Sequence, residues 1–286
     1  LFQATYYLNT GNYKSAIRFY QELITLFEAN RHLILNPPIY YLSAIEGVLD
    51  SLHVAGLYQE MPFFLSKLEE ISTGDYPSEF LIEVQARLYL YRLSSLLNTG
   101  QFKAASDLAE ENNELVSKKA TTAGPETQLR LALYSAILHL CLGEPAKARK
   151  SMKKIFGSGK SFHTLPSYKT ARLVNLLIQA ESGNYDFFAN EINSIKRNIR
   201  YEKQTYRTEK LLFRFLMAHP LPVYKKDREK LWQQYRKEIT LIRQDKYEKQ
   251  LLKTFDFTAW IESRLTGTSI QDILTDTKRG CVKSKF

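Results

Sequence analysis

Five glycines constrain what this chain can fold into. Gly11, Gly56, Gly100, Gly143 and Gly183 lie 45, 44, 43 and 40 residues apart, and each interrupts an apolar helical pattern that soon restarts. The surrounding segments run Asn9-Thr10-Gly11-Asn12-Tyr13, Val54-Ala55-Gly56-Leu57-Tyr58, Asn98-Thr99-Gly100-Gln101-Phe102, Cys141-Leu142-Gly143-Glu144-Pro145 and Glu181-Ser182-Gly183-Asn184-Tyr185. Glycine accepts a positive φ without a Cβ clash, so it ends one helix and lets the chain turn into the next. An aromatic two residues on (Tyr13, Tyr58, Phe102, Tyr185) is placed to plug the elbow. A small residue five on (Ala16, Ala105, Ala148) lets two helix backbones approach. A fixed period of this length predicts stacked helical hairpins.

The flanks keep helical spacing, as in Ile17, Tyr20, Ile24, Phe27 and in Leu88, Tyr91, Ser95, Asn98. Asn36-Pro37-Pro38, Gly74-Asp75-Tyr76-Pro77, Gly124-Pro125 and Leu165-Pro166 fall where one hairpin hands over to the next. No period-two alternation bounded by turn residues stands out, so essentially no sheet is expected. Gly (12) and Pro (9) are too few for a turn-rich sandwich or barrel.

Gly11 to Tyr20 resembles the centre of a tetratricopeptide repeat (TPR), in which a Gly-Asp-Tyr elbow is followed by a small residue and then an aromatic. Gly100 to Ala105 is similar. Gly143 has Pro145 at the aromatic position, Gly183 has Phe188 at the small one, and Met61-Pro62 follows Gly56. The period of 40 to 45 exceeds the 34 usual for the family, so helices or connections are longer than standard. The resemblance covers residues 1–200 and implies an all-α, right-handed α-solenoid of about five antiparallel pairs, the first truncated. In general style the chain is similar to bacterial TPR proteins, which implies a cytoplasmic, non-catalytic scaffold or protein-interaction module. It begins Leu1-Phe2-Gln3 within an amphipathic pattern, with no cap, which predicts residues upstream.

Beyond 200 the elbow disappears. One helix is expected over 202–218, a long one over 224–254, a short one from Asp256, and a last one opened by a capping box at Ser269-Ile270-Gln271-Asp272. Residues 201–277 thus form a basic helical cap, and 278–286 are expected to be a disordered tail.

Charge is uneven. Residues 1–150 hold 13 Lys and Arg against 16 Asp and Glu, and residues 151–286 hold 27 against 14. Within the latter, 196–253 holds 17 against 7. Lys225, Lys226, Arg228 and Lys230 are the densest run, and they could form a nucleic-acid footprint or the solvated side of a mixed helix. The alternative reading is therefore a nucleic-acid-binding or peptide-sensing regulator built on 196–253, the latter with an effector domain upstream.

Motifs for chemistry are sparse. Gly157-Ser158-Gly159-Lys160-Ser161 ends like a phosphate-binding loop, but Lys154 stands where that loop needs a glycine, and a helix precedes it rather than a strand. The five histidines show no i, i+4 pair, and the two cysteines are 140 residues apart. No metal site or cofactor is expected. Adjacent carboxylates such as Glu69-Glu70 diverge on a helix, so no general acid–base pair is formed and no catalysis is expected. No apolar run is long enough to span a membrane; the best, Leu129 to Leu142, carries Arg130 and His139. Tyr40, Tyr41, Tyr89, Tyr91, Tyr201 and Tyr206 suit either stacking on a ligand or packing between layers.

The TPR resemblance implies a concave surface lined by the first helix of each pair. Counting back from each glycine gives equivalent columns: Asn9 and Asn98 two before, Asp50 and Ser94 six before, Arg87 and Arg130 thirteen before. Arginine matches a carboxylate, and asparagine can hold a peptide backbone as donor and acceptor. These six are the candidate ligand-binding residues, for a protein or peptide partner. The competing reading pairs Arg87 and Arg130 with Glu83 and Glu126 four residues earlier. Ile137 and Leu177 make the later columns apolar.

Overall fold

The elbow glycines end their helices in the way their spacing requires. In the computed structural model, which describes residues 1–34, 36–157, 161–199 and 206–283, all five have φ between 71° and 75°. At every elbow the residue after the glycine donates its N–H to the carbonyl four residues before the glycine: Asn12 to Tyr7, Leu57 to Leu52, Gln101 to Leu96, Glu144 to His139 and Asn184 to Gln179, at 2.8–3.0 Å. That 6→1 bond, with the glycine N–H bonding three residues back, is the Schellman closure. Residues five after the glycines are buried without exception: Ala16, Met61, Ala105, Ala148 and Phe188. The aromatic plug holds at Tyr13 and Phe102, whereas Tyr185 is 44% exposed.

The protein is all-helical among the described residues, with 79% helix and no strand. The hairpins flanking the elbows are α1 (Phe2–Asn9) with α2 (Tyr13–Ala29), α3 (Ile39–Ala55) with α4 (Met61–Ser72) and α5 (Ser78–Asn98) with α6 (Phe102–Glu111). After a short α7 (Asn113–Ser117) come α8 (Pro125–Cys141) with α9 (Pro145–Phe156), and α10 (Pro166–Glu181) with α11 (Phe187–Ile199). The remainder is α12 (Arg207–Met217), α13 (Lys225–Gln244), α14 (Glu248–Leu252), α15 (Phe257–Thr266) and α16 (Ile270–Lys283).

Three expectations change here. The helix expected over 224–254 is two, because the chain leaves helical geometry at Asp245, whose carboxylate accepts from the Tyr247 N–H. The helix expected over 202–218 begins at Arg207, since Tyr206 is extended. The backbone stays helical to Lys283, past the residue 278 at which disorder was expected to begin. Ser269 does cap α16: its hydroxyl accepts from the Asp272 N–H at 3.1 Å and donates to the Asp272 carboxylate at 2.6 Å.

Two compact units are present, one of residues 1–95 with 109–131, the other of 96–108 with 132–286. In the first unit α1, α2, α3 and α4 meet around Ala16, Tyr20, Ile24, Ile45, Val48, Leu49, Leu52 and Leu68. Each buried Val, Leu or Ile side chain there contributes about 2 kcal/mol of burial. Gly47, in the middle of α3, sits under the Tyr20 ring so closely that an added Cβ would lie 2.2 Å from its Cζ.

In the second unit Leu173, Leu177, Leu211, Leu212, Phe257 and Ile261 are fully buried, and Phe215 meets the rings of Tyr235, Trp260 and His219 edge-on. The α12 N-terminus has no local side-chain cap. Glu248, distant in sequence and 4% exposed, supplies one: its carboxylate accepts from the Arg207 N–H (2.6 Å), the Thr208 N–H (3.0 Å) and the Thr208 hydroxyl (2.7 Å).

His219 closes α12 against Tyr185, Phe188 and Phe215. Burial lowers its pKa below 6.5, although the Phe215 and Leu216 carbonyls oppose the shift. The unfolded chain therefore binds the proton more readily, and stability is lost as pH falls through 6.5 toward the folded value. Thermal melts at pH 8 and pH 5.5 should show a lower Tm in acid, with a smaller drop in His219→Phe. An equal drop in both proteins would assign the acid sensitivity to other groups.

Candidate functional site

On α3, Glu46 and Asp50 are one turn apart, and so are Arg87 and Tyr91 on α5. The two pairs meet within the first unit. Arg87 Nη1 donates to Glu46 Oε2 at 2.7 Å, and the Tyr91 hydroxyl donates to Asp50 Oδ1 at 3.1 Å. Arg87 Nε also lies 3.6 Å from Glu83 Oε2. Glu83 in turn accepts from the Gly124 N–H and, at 2.8 Å, from the Thr127 hydroxyl, which ties the start of α8 to α5. Arg130, on α8, acts electrostatically on both Glu46 and Tyr91.

Burial pushes the Glu46 carboxyl above its ordinary range; Arg87 opposes the shift, Asp50 adds to it and Arg130 opposes it. Burial also raises the Tyr91 phenol well above its ordinary value, and the Asp50 and Glu46 charges add to this. The cluster is thus a partly desolvated seam of three carboxylates and two arginines on the first helices of three successive pairs. The Arg87 side chain retains 30% exposure. A guanidinium has five N–H donors in a fixed fork, so the two carboxylates it faces here leave donors over.

The six candidate residues divide by location. Asp50 and Arg87 belong to the Glu46–Tyr91 cluster and Arg130 acts electrostatically on it, whereas Ser94 is 2% exposed and its hydroxyl donates to the Tyr91 carbonyl of its own helix at 3.1 Å. Asn9 is exposed on α1. Asn98 is used internally: its Nδ2 donates to the Lys253 carbonyl at 2.9 Å. Glu181, its counterpart in the same column, accepts from Trp260 Nε1 at 2.8 Å and pairs with Arg264 at 2.9 Å. Gly100 lies so close to the C-terminal segment that a Cβ would be 2.8 Å from the Gln271 carbonyl oxygen. In the second unit the chain's own C-terminal segment therefore occupies positions that the TPR resemblance implies for a ligand. Glu46 is the residue sequence reasoning missed, although two complementary i, i+4 pairs on neighbouring first helices signal it.

Lys225, Lys226 and Lys230 are exposed at the start of α13 and Arg228 is partly covered, but Asp227 and Glu229 are interleaved. Lys230 lies 3.3 Å from Asp227. Further along, Arg214 pairs with Glu238, and Arg243 with Glu262. This face has the character of a mixed, internally paired surface.

Among the tyrosines, Tyr89 and Tyr91 are buried and Tyr41 donates to Glu28 at 2.7 Å, while Tyr40 is 54% exposed and Tyr206 lies under Lys169 Nζ at 5.6 Å. Tyr201 lies outside the described residues, as do Ser158, Gly159 and Lys160 of the phosphate-loop-like segment. The segment ahead of that loop is helix α9, ending at Phe156. His139 Nδ1 is 2.8 Å from Glu144 Oε2 at the fourth elbow, and burial raises the Cys141 thiol pKa to about 12. Among the described residues no three His, Cys, Asp or Glu side chains gather to hold a metal ion, and no helix is long and apolar enough to cross a membrane.

The chain matches no protein-family model, no curated protein and no solved structure.

Proposed function

We propose that this chain is a non-catalytic, TPR-like helical-repeat module that binds an extended segment of a protein partner. The binding surface lies within the first unit, on the first helices α1 and α3, on α5 up to residue 95 and on α8 up to residue 131. The observation that supports the reading is the seam of Glu46, Asp50, Arg87 and Tyr91, in which the partly exposed Arg87 pairs with Glu46 and Arg130, from the same repeat column, acts electrostatically on that same carboxylate. Arginine in a partly desolvated position recognises a carboxylate through paired N–H donors. An acidic side chain or a C-terminal carboxylate is therefore the expected anchor of the partner. The binding surface is placed in the first unit because in the second unit the corresponding positions are taken by Lys253, Trp260 and Arg264.

Selection of a displayed peptide library on the purified chain tests this reading. Enriched peptides should share an acidic residue or a free C-terminus. Arg87→Ala combined with Arg130→Ala should weaken the best of them by about 2 kcal/mol, roughly thirtyfold, in calorimetric titration. No enrichment, or an affinity unchanged by the double substitution, would remove the surface from consideration.

A further inference from the structure

The most one-sided charge in the protein lies on α9, outside the run that composition singles out. Helix α9 reads Pro-Ala-Lys-Ala-Arg-Lys-Ser-Met-Lys-Lys-Ile-Phe, with five basic residues and no acidic one. Its apolar stripe, Ala148, Met152 and Ile155, is buried in the second unit to 1% exposure or less. At 100° per residue, Lys147, Arg149, Lys150, Lys153 and Lys154 spread over the opposite arc, and all five are exposed. Lys147 is balanced by Glu144 at 2.7 Å, while Arg149, Lys150 and Lys153 form no ion pair among the described residues. The cations extend about 10 Å along the axis, at 1.5 Å of rise per residue. The contrast with α13 is chemical: there Asp227 and Glu229 alternate with the basic residues, whereas no acidic residue is interleaved within α9.

We infer that the exposed face of α9 is a docking surface for a nucleic-acid phosphate backbone, contacted by Arg149, Lys150 and Lys153 with Lys147 and Lys154 at its edges. Charge complementarity favours a polyanion. The fold favours a nucleic acid over a membrane, because a helix that lies in a lipid interface inserts an apolar face, and the Ala148, Met152 and Ile155 stripe of α9 is already committed to the core, leaving only the terminal Phe156 37% exposed. Between Lys147 and Lys154 the exposed arc carries no large apolar side chain. Contacts of this kind read phosphate and not sequence, so the binding is salt-dependent and sequence-tolerant. The inference stands apart from the peptide reading, since α9 belongs to the other unit.

The test is anisotropy titration of the full chain into a short labelled DNA duplex over a series of salt concentrations. Arg149→Gln, Lys150→Gln and Lys153→Gln are combined in one variant, and Lys225→Gln, Lys226→Gln and Lys230→Gln in a second. Glutamine keeps helix propensity, and unchanged circular dichroism melts establish that both variants fold. Removing three phosphate contacts should lower the slope of log K against log salt by about 2.7, which shrinks the affinity loss between about 50 and 200 mM salt about fortyfold. The α13 variant should retain most of the parent slope. No duplex binding at low salt overturns the inference, as does a loss of equal size in both variants, which would report net charge alone. Binding to phosphatidylserine vesicles without binding to the duplex overturns it in favour of a membrane surface.

Discussion

Gly47→Ala will destabilise the protein by about 2 kcal/mol, even though alanine is the better helix former by about 1 kcal/mol. Two effects oppose each other here, and their sizes decide the sign. Gly47 is in the interior of α3, where a Cβ would normally be favoured, but that Cβ would sit 2.2–2.6 Å from three atoms of the Tyr20 ring. The ring has little room to yield. Tyr20 is 3% exposed, and its hydroxyl shares a hydrogen bond with the Thr5 hydroxyl at 2.9 Å, which joins α2 to α1. Relief needs a backbone shift between α2 and α3 or loss of that ring position, at a typical overpacking cost of about 3 kcal/mol. Urea unfolding followed by circular dichroism measures the difference. Tyr20→Leu in the same chain should recover part of it, with a coupling of about 1 kcal/mol in the double-mutant cycle. A neutral or stabilising Gly47→Ala would mean that the helices are not this close.

The second large effect is expected at Glu248. Glu248→Ala leaves the Arg207 and Thr208 N–H groups and the Thr208 hydroxyl without their acceptor at a site that is 4% exposed. Each buried unsatisfied donor costs about 1–3 kcal/mol, and partial entry of water reduces the sum to about 3 kcal/mol. Glu248→Gln should fall between, since the amide keeps one acceptor and turns an N–H₂ toward a donor. The two tryptophans, Trp232 and Trp260, both belong to the second unit, so their fluorescence in urea reports this loss directly. A shift below about 0.5 kcal/mol would show that α12 is not capped from α14.

What sequence reasoning could reach follows from the range of the interactions. An elbow is a Schellman turn, with bonds that span six residues, so Gly100, Phe102 and Ala105 identify their roles within one short window. The capping box at Ser269 is just as local. Tyr89 and Tyr91 could be read as packing or stacking residues, and only their burial separates the two. The break at Asp245 was missed because Lys, Glu and Gln on both sides are good helix formers, and helix propensity does not register an aspartate turning onto the Tyr247 N–H.

The candidate surface was legible in part for the same reason. Arg87 and Arg130 follow from equal distances to their glycines, which any repeat of constant hairpin geometry conserves. Glu46 is marked only by the i, i+4 pairing with Asp50 that complements Arg87 and Tyr91, and its importance comes from facing Arg87 across 41 residues of chain. Asn98 has the spacing of a ligand-binding residue, yet it is spent on a carbonyl 155 residues away.

By itself, then, the sequence determined the helices, their elbows and the faces they bury, because those depend on φ preference, 3.6-residue periodicity and hydrogen bonds within one or two turns. The tertiary structure alone decided which arginines share a carboxylate, which helix end is capped from 40 residues away, and which column positions the C-terminal segment covers. Those outcomes depend on which surfaces meet when the helices pack, and residues far apart in the chain carry no local sign of that meeting.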